Sequence, residues 1–186
     1  MADVHAPLGA PDSTLRFSRI SVEQTLKLRH EVLWPDKSIS HVQLPEDKDG
    51  FHFGAFLDMY GDEPIAVISF FLEALPIPGQ QHQTAARFRK FACDPRLQGR
   101  GIGTQLLQNT FQIALHDLKV SVIWCDARLS TSTWYEKRGM VPFGETFFKG
   151  PVEYVRMKTE GLKIRPSPGP KGRSVEREKL SNTDEC

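Results

Sequence analysis

The chain has 186 residues, 39% hydrophobic and 25% charged, with a formal net charge of +1, which suits one globular domain with tails. Its near-neutral balance argues against a nucleic-acid binder, which would normally carry a basic stripe and a higher pI, and its longest apolar run, "IAVISFFLEAL" at 65–75, is broken by Glu73 and too short to span a bilayer. Cys93, Cys125 and Cys186 are odd in number and far apart, which reads as reduced thiols, with neither a disulfide frame nor a zinc site.

Residues 1–14 are rich in Ala, Pro, Gly and Asp and read as a flexible tail. "LRFSRI" (15–20) alternates as a first strand. Ser21 and Gln24 have capping-box spacing at the start of a helix that Pro35 stops. Residues 36–50 are polar and read as a loop. "FHFGAFLD" (51–58) and "PIAVISFFLE" (64–73) flank "MYGDE" as a hairpin. A loop follows at 74–84, then an alternating strand, "ARFRKFAC" (86–93). Beyond a glycine-rich stretch, Leu107, Phe111, Ala114, Leu115 and Leu118 form one apolar stripe at helical period. "VSVIWC" (120–125) reads as a buried strand. "TSTWYEKRG" (131–139) reads as a short helix that ends in cations and a left-handed Gly139. "VPFGETFFK" and "VEYVRMKT" form a closing hairpin around Gly150-Pro151. Residues 162–186 hold three prolines and many charges with no aromatic residue, a composition too poor in apolar surface to order itself. The order β-α-ββ-β-α-β-α-ββ implies an α/β (α+β) fold with a mixed sheet and helices on both faces.

The stretch "CDPRLQGRGIGTQLL" (93–107) carries Gly99, Gly101 and Gly103 at the mouth of the long helix. Unpaired amides and the helix dipole make such a mouth an anion site, and glycine lets the anion approach closely. A phosphate-bearing ligand is the natural reading. The end "GTQ" lacks the lysine of a Walker loop. A dinucleotide fold would place its glycines directly after the strand, whereas "DPRLQ" intervenes. A bare structural turn stays open, although ordering three glycines in five residues is costly.

The loop Gln98-Gly99-Arg100-Gly101-Ile102-Gly103 resembles the pyrophosphate loop of the GNAT superfamily of acyl-coenzyme A N-acyltransferases. "DARLSTSTWYEKRGM" resembles that family's second signature, "FGAF…GDEPIAVISF" its central hairpin, and "LRHEVLWP" its first helix. The similarity covers roughly residues 15 to 160, in the family's order. It implies a GNAT domain at 15–161, with its two central parallel strands, 86–93 and 120–125, splayed around acetyl-CoA as co-substrate, and no metal. The pyrophosphate is expected on the amides of Arg100, Gly101, Ile102, Gly103 and Thr104, with Arg100 and the Thr104 hydroxyl adding side-chain contacts. Gln98 and Gly99 belong to the same loop. Phe91, Ala92 and Cys93 are expected along the pantetheine arm, where their main chain pairs like an extra strand. Asp126 and Arg128 complete the expected set. For Asp126, orienting the amine and capping the turn after its strand both stay open.

Amide formation from a thioester needs a deprotonated amine, a steadied oxyanion and a protonated leaving thiol. Tyr135 stands where many members carry the general acid, and a neutral tyrosine with a pKa near ~10 keeps its proton at pH 7. A core tyrosine beside Trp134 is the alternative. Glu73 is the general-base candidate, against a solvated strand end; His30, His52 and ordered water are the other options. Arg87, Arg89, Trp34 and Pro35 are candidates for the acceptor side, or for an exposed face and packing. Cys93 and Cys125 lack an activating histidine neighbour, which argues against a covalent route. The expected activity is acetyl transfer from acetyl-CoA to a primary amine. The alternatives are a CoA-binding regulatory module and a protein-modifying acetyltransferase that docks through 162–186. The expected partners are acetyl-CoA and an amine-bearing acceptor, with no nucleic acid and no membrane; a homodimer stays open. The first thirty residues show no signal-peptide pattern, so a cytoplasmic location is expected, with the nucleus left open.

Overall fold

The computed structural model describes residues 14–79 and 84–160; the expectations for the two tails and for Cys186 lie outside them. The elements follow the expected order. β1 (Leu15–Ile20) leads into α1 (Val22–Leu33), and the Ser21 amide donates to Gln24 Oε1 at 3.0 Å, closing the helix start. β2 (Phe51–Leu57) and β3 (Ala66–Leu72) form the hairpin, and β4 (Ala85–Cys93) runs antiparallel beside β3. After the glycine loop come α2 (Ile102–His116), β5 (Val122–Arg128), the five-residue α3 (Ser132–Glu136), β6 (Val141–Lys149) and β7 (Val152–Glu160). Gly139 and Gly150 take the positive φ of a left-handed cap and a tight hairpin, +85° and +59°.

The seven strands make one mixed sheet in the order β1-β2-β3-β4-β5-β7-β6. Only β4 and β5 among its adjacent pairs run parallel. Period-2 alternation along β3 sends its side chains to two different cores. Ile68 and Phe70 meet Phe88 and α2 residues Ile102, Leu106 and Phe111 on one face, while Val67 meets Leu28 of α1, Ile20, Phe56 and Ala92 on the other. Helices therefore cover both faces. No helix among the described residues is long and apolar enough to cross a membrane.

Three details depart from the sequence expectations. α2 buries Ile102 and Leu106 as well as Leu107, Phe111 and Ala114, and Leu118 lies past its end. β5 starts two residues later than expected and extends through Asp126 and Arg128, because antiparallel pairing with β7 (Asp126↔Arg156, Arg128↔Tyr154) continues beyond the apolar run. Asp126 is thus inside the sheet and does not cap a turn.

The polar segment 36–50 is also no simple solvated loop. It forms two 3-10 turns, Ile39–Val42 and Asp47–Asp49, with Val42 and Asp47 buried. Arg29 of α1, fully buried, binds both Asp47 carboxylate oxygens at 2.7 and 3.0 Å and donates to the Ser69 hydroxyl at 2.7 Å. His52 Nε2 donates to the Asp47 carbonyl at 2.9 Å, so Nδ1 accepts from Ser69 at 2.7 Å. Burial lowers the His52 pKa and keeps the ring neutral. Burial pushes the Asp47 carboxyl up, but hydrogen bonds from Arg29 and the Leu44 amide outweigh it and hold the carboxyl below its ordinary value. One buried network thus ties the segment to α1, β2 and β3.

Candidate active site

β4 and β5 pair at Ala85↔Val122, Ala86↔Ile123 and Arg87↔Trp124, and then separate. The cause lies in β4. Between the pairs Val67↔Ala92 and Ser69↔Arg89, β4 carries one residue more than β3, and Lys90 sits there with φ +54°. An extra residue bends its strand and interrupts the ladder. Beyond Arg87 the β5-facing edge of β4 has no strand partner among the described residues, and two adjoining cavities open there.

The first cavity, about 400 Å³, is lined by Phe91, Ala92, Cys93, Gln98, Gly99, Gly101, Ile102, Gly103, Thr104, Trp134 and Arg138, among others. Gly99 and Gly101 have φ of +77° and +79°, strained for any residue with a Cβ. Gly101 is the N-cap of α2, and the first intrahelical bond is Gln105 N–H to Gly101 O at 3.0 Å. The amides of Ile102, Gly103 and Thr104 therefore have no partner inside the helix. A Cβ on Gly103 would lie 3.2 Å from Phe91 Cζ, so this turn packs closely on the floor of the cavity. The Gln98 side chain donates to the Cys93 carbonyl at 3.1 Å and ties the loop to the end of β4. Arg100 is exposed and makes no ion pair among the described residues.

Arg138 is a site residue that sequence reasoning treated only as a helix-end cation. Its Nε and Nη2 donate to the Thr104 hydroxyl at 2.9 and 2.7 Å, Nη1 donates to the Trp134 carbonyl at 2.6 Å, and its guanidinium lies 3.5 Å from the Trp134 ring centroid. The clue was its spacing four residues after Trp134, one helical turn. Free helix-start amides, two nearby arginines and glycines that keep Cβ atoms away make a cradle that fits a diphosphate.

The second cavity, about 640 Å³, shares Val32, Phe91 and Gln98 with the first and extends along the splayed strands. Tyr135 of α3 lines it, with its ring 5.9 Å from Phe88 and 5.0 Å from Trp134. Burial raises the phenol well above its usual pKa, so it stays protonated. Burial pushes the Cys93 thiol up to about 11 and raises the Cys125 thiol well above its ordinary value. Neither is a thiolate at neutral pH.

Arg87 projects into this cavity, stacked 4.6 Å from the Trp124 ring centroid. Its Nη1 donates to Glu73 at 2.9 Å and its Nη2 to Asp126. Asp126, almost buried, also accepts from Lys149 at 2.7 Å and lies 3.8 Å from Arg156. Glu73 lines neither cavity and reaches the cleft only through Arg87. Arg89 pairs with Glu46 at 2.5 Å. Trp34 and Arg128 line the second cavity; Pro35 does not. His30 donates to the Lys37 carbonyl at 2.6 Å, and His52 belongs to the buried Arg29 network.

The chain resembles known proteins in sequence and in fold. The family model "Acetyltransferase (GNAT) family" matches residues 19–140. The chain is 30% identical over 135 residues to YitI of Bacillus subtilis (strain 168), an uncharacterised N-acetyltransferase, covering 72% of this chain and 87% of that protein. Among solved structures, a putative N-acetyltransferase from Lactobacillus plantarum has a TM-score of 0.64 at 18% identity, covering 79% of this chain and 97% of that one. An IAA acetyltransferase from Bacillus cereus ATCC 14579 has a TM-score of 0.59 at 21% identity, covering 79% and 99%. The two structures speak for the fold, and the family model and the Bacillus subtilis relative for the lineage: the chain belongs to the GNAT family of acetyltransferases.

Proposed function

We propose that this enzyme transfers an acetyl group from acetyl-CoA to a primary amine by direct attack, within a domain spanning 15–161. The supporting observation is the junction of the two cavities at the open β4 edge. Acetyl-CoA supplies the thioester. The amides of Arg100 to Thr104, with the Arg100 and Arg138 guanidiniums, hold its diphosphate. The main chain at Phe91, Ala92 and Cys93 receives the pantetheine arm as a strand partner, and one of these amides steadies charge on the thioester oxygen. Gln98 and Gly99 shape the loop, and Asp126 and Arg128 close the cleft on the β5 side.

Tyr135 has no hydrogen-bond partner for its hydroxyl among the described residues. It is the donor to the departing sulfur. Burial keeps the phenol protonated at neutral pH, so the proton is present when thiolate charge develops. Glu73 acts through Arg87, fixing the guanidinium at the cleft edge, and the amine loses its proton to water there. The two cleft cysteines, held protonated by burial, argue against a covalent route through a thiolate.

The test is calorimetric titration with acetyl-CoA, with pantetheine as control, followed by thiol release on addition of amines. Binding of acetyl-CoA but not pantetheine, and amine-dependent release, are expected. Absence of acetyl-CoA binding would overturn the reading.

A further inference from the structure

The second cavity has an uncompensated positive charge. Its lining holds Arg87, Arg89, Lys90, Arg128 and Lys149 against a single acid, Asp126. Three of these cations are neutralised within the protein: Arg87 by Glu73 and Asp126, Lys149 by Asp126, and Arg89 by Glu46. Lys90 and Arg128 have no acidic partner within ion-pair distance among the described residues.

Lys90 is the more informative of the two. It occupies the bulge that opens β4, in a left-handed conformation that an L side chain adopts at a cost. The bulge places its ammonium at the cavity wall, 3.8 Å from the Trp34 ring centroid. A half-buried ammonium facing a cavity with only an aromatic face as partner is an incomplete ion pair. The phosphates of acetyl-CoA do not complete it, since their cradle is the first cavity.

We infer that the amine acceptor carries an anionic group, a carboxylate or a phosphate, which Lys90 binds against Trp34 with Arg128 as the second cation of the wall. The inference rests on the acetyltransferase reading and specifies its acceptor class. A polyamine would meet repulsion here, and an uncharged amine would leave Lys90 without a counter-ion. The groups around Lys90 agree. Burial pulls its pKa down to about 8, the positive charges of Arg29 and Arg89 add to that, and Asp47 and Glu46 only partly oppose it. An anion bound at Lys90 restores the charged form, so the site holds anions best below about pH 8.

The test uses the protein loaded with CoA, which blocks the first cavity, and follows the lysine ε-carbon resonances by NMR. The Lys90 signal is identified by its loss in Lys90→Met. Glutarate and inorganic phosphate distinguish a carboxylate from a phosphate acceptor, and cadaverine is the cationic control. The expected result is a saturable movement of the Lys90 signal with one of the two anions, a rise of its pKa in that complex, and no response to cadaverine. Calorimetry with the same anion should show affinity about tenfold weaker in Lys90→Met and several-fold weaker in Arg128→Gln. If the signal ignores both anions, or affinity survives both substitutions, the inference fails while CoA loading leaves the acetyltransferase reading intact. Failure to load with CoA removes that reading and the inference with it.

Discussion

Replacing Asp47 with alanine should destabilise the protein by about 3–5 kcal/mol, because it strands the Arg29 guanidinium without its counter-ion. Arg29 is fully buried and cannot turn to water for compensation. The remaining acceptors are the Ser69 hydroxyl at 2.7 Å and the Val42 carbonyl and His52 Nδ1 at 3.4 Å, all uncharged. For a domain of this size, that loss corresponds to a fall in Tm of roughly 6–20 °C. The exposed pair Lys27–Glu63, at 64% and 67% side-chain exposure, is the internal control; Glu63→Ala should cost at most about 1 kcal/mol.

The assay is urea unfolding, comparing midpoints at a common slope. The double variant Arg29→Met with Asp47→Ala should be no less stable than Asp47→Ala alone, since it removes the stranded charge. Loss below about 1 kcal/mol for Asp47→Ala, or a double variant much weaker than the single one, would refute the reasoning. Asp47 also anchors the segment that carries Glu46 to Arg89 at the cleft, so surviving Asp47→Ala enzyme should show a raised acceptor KM.

Gly101→Asp, placing a carboxylate on a residue with φ +79° at the diphosphate cradle, should weaken acetyl-CoA binding by at least tenfold in calorimetry while far-UV circular dichroism stays unchanged. Tyr135→Phe should lower kcat by about a hundredfold, in the range for a lost general acid, with the acetyl-CoA dissociation constant little altered; an unchanged kcat would remove Tyr135 from the reaction. Arg138→Gln should raise the acetyl-CoA KM several-fold, because it loses a charge and the clamp on Thr104. Stability should fall on the acid side in two stages. His52 is held below its ordinary pKa, so the unfolded chain takes up this proton first as pH drops through ~6.5. The contribution of Asp47, complete above the ordinary carboxylate pKa of ~3.9, is lost as pH falls through its depressed folded value. His52→Gln should flatten the upper stage in pH-dependent urea titrations and leave the lower one.

Features that depend on neighbours along the chain can be read from the residues alone. The capping of α1 by Ser21 and Gln24, the hairpin turns, Gly139 and the glycine cradle were all legible, because turn and helix-start chemistry acts over three to five residues. The order of elements followed from the same local periods, and two separate signatures pointed to the family. Features that depend on register between strands and on contacts across the sheet emerge only once the chain has folded. The bulge at Lys90 is visible only against β3, because "ARFRKFAC" reads as an uninterrupted alternating strand. Asp126 stays open between amine orientation and turn capping in the sequence, and pairing with β7 extends β5 past it and surrounds it with Arg87, Lys149 and Arg156. Arg138 meets Thr104 across 34 positions of sequence, and Arg29 meets Asp47 across 18. Such pairings arise only after the sheet brings distant segments together, because burial turns their charges from independent solvated groups into mutual requirements.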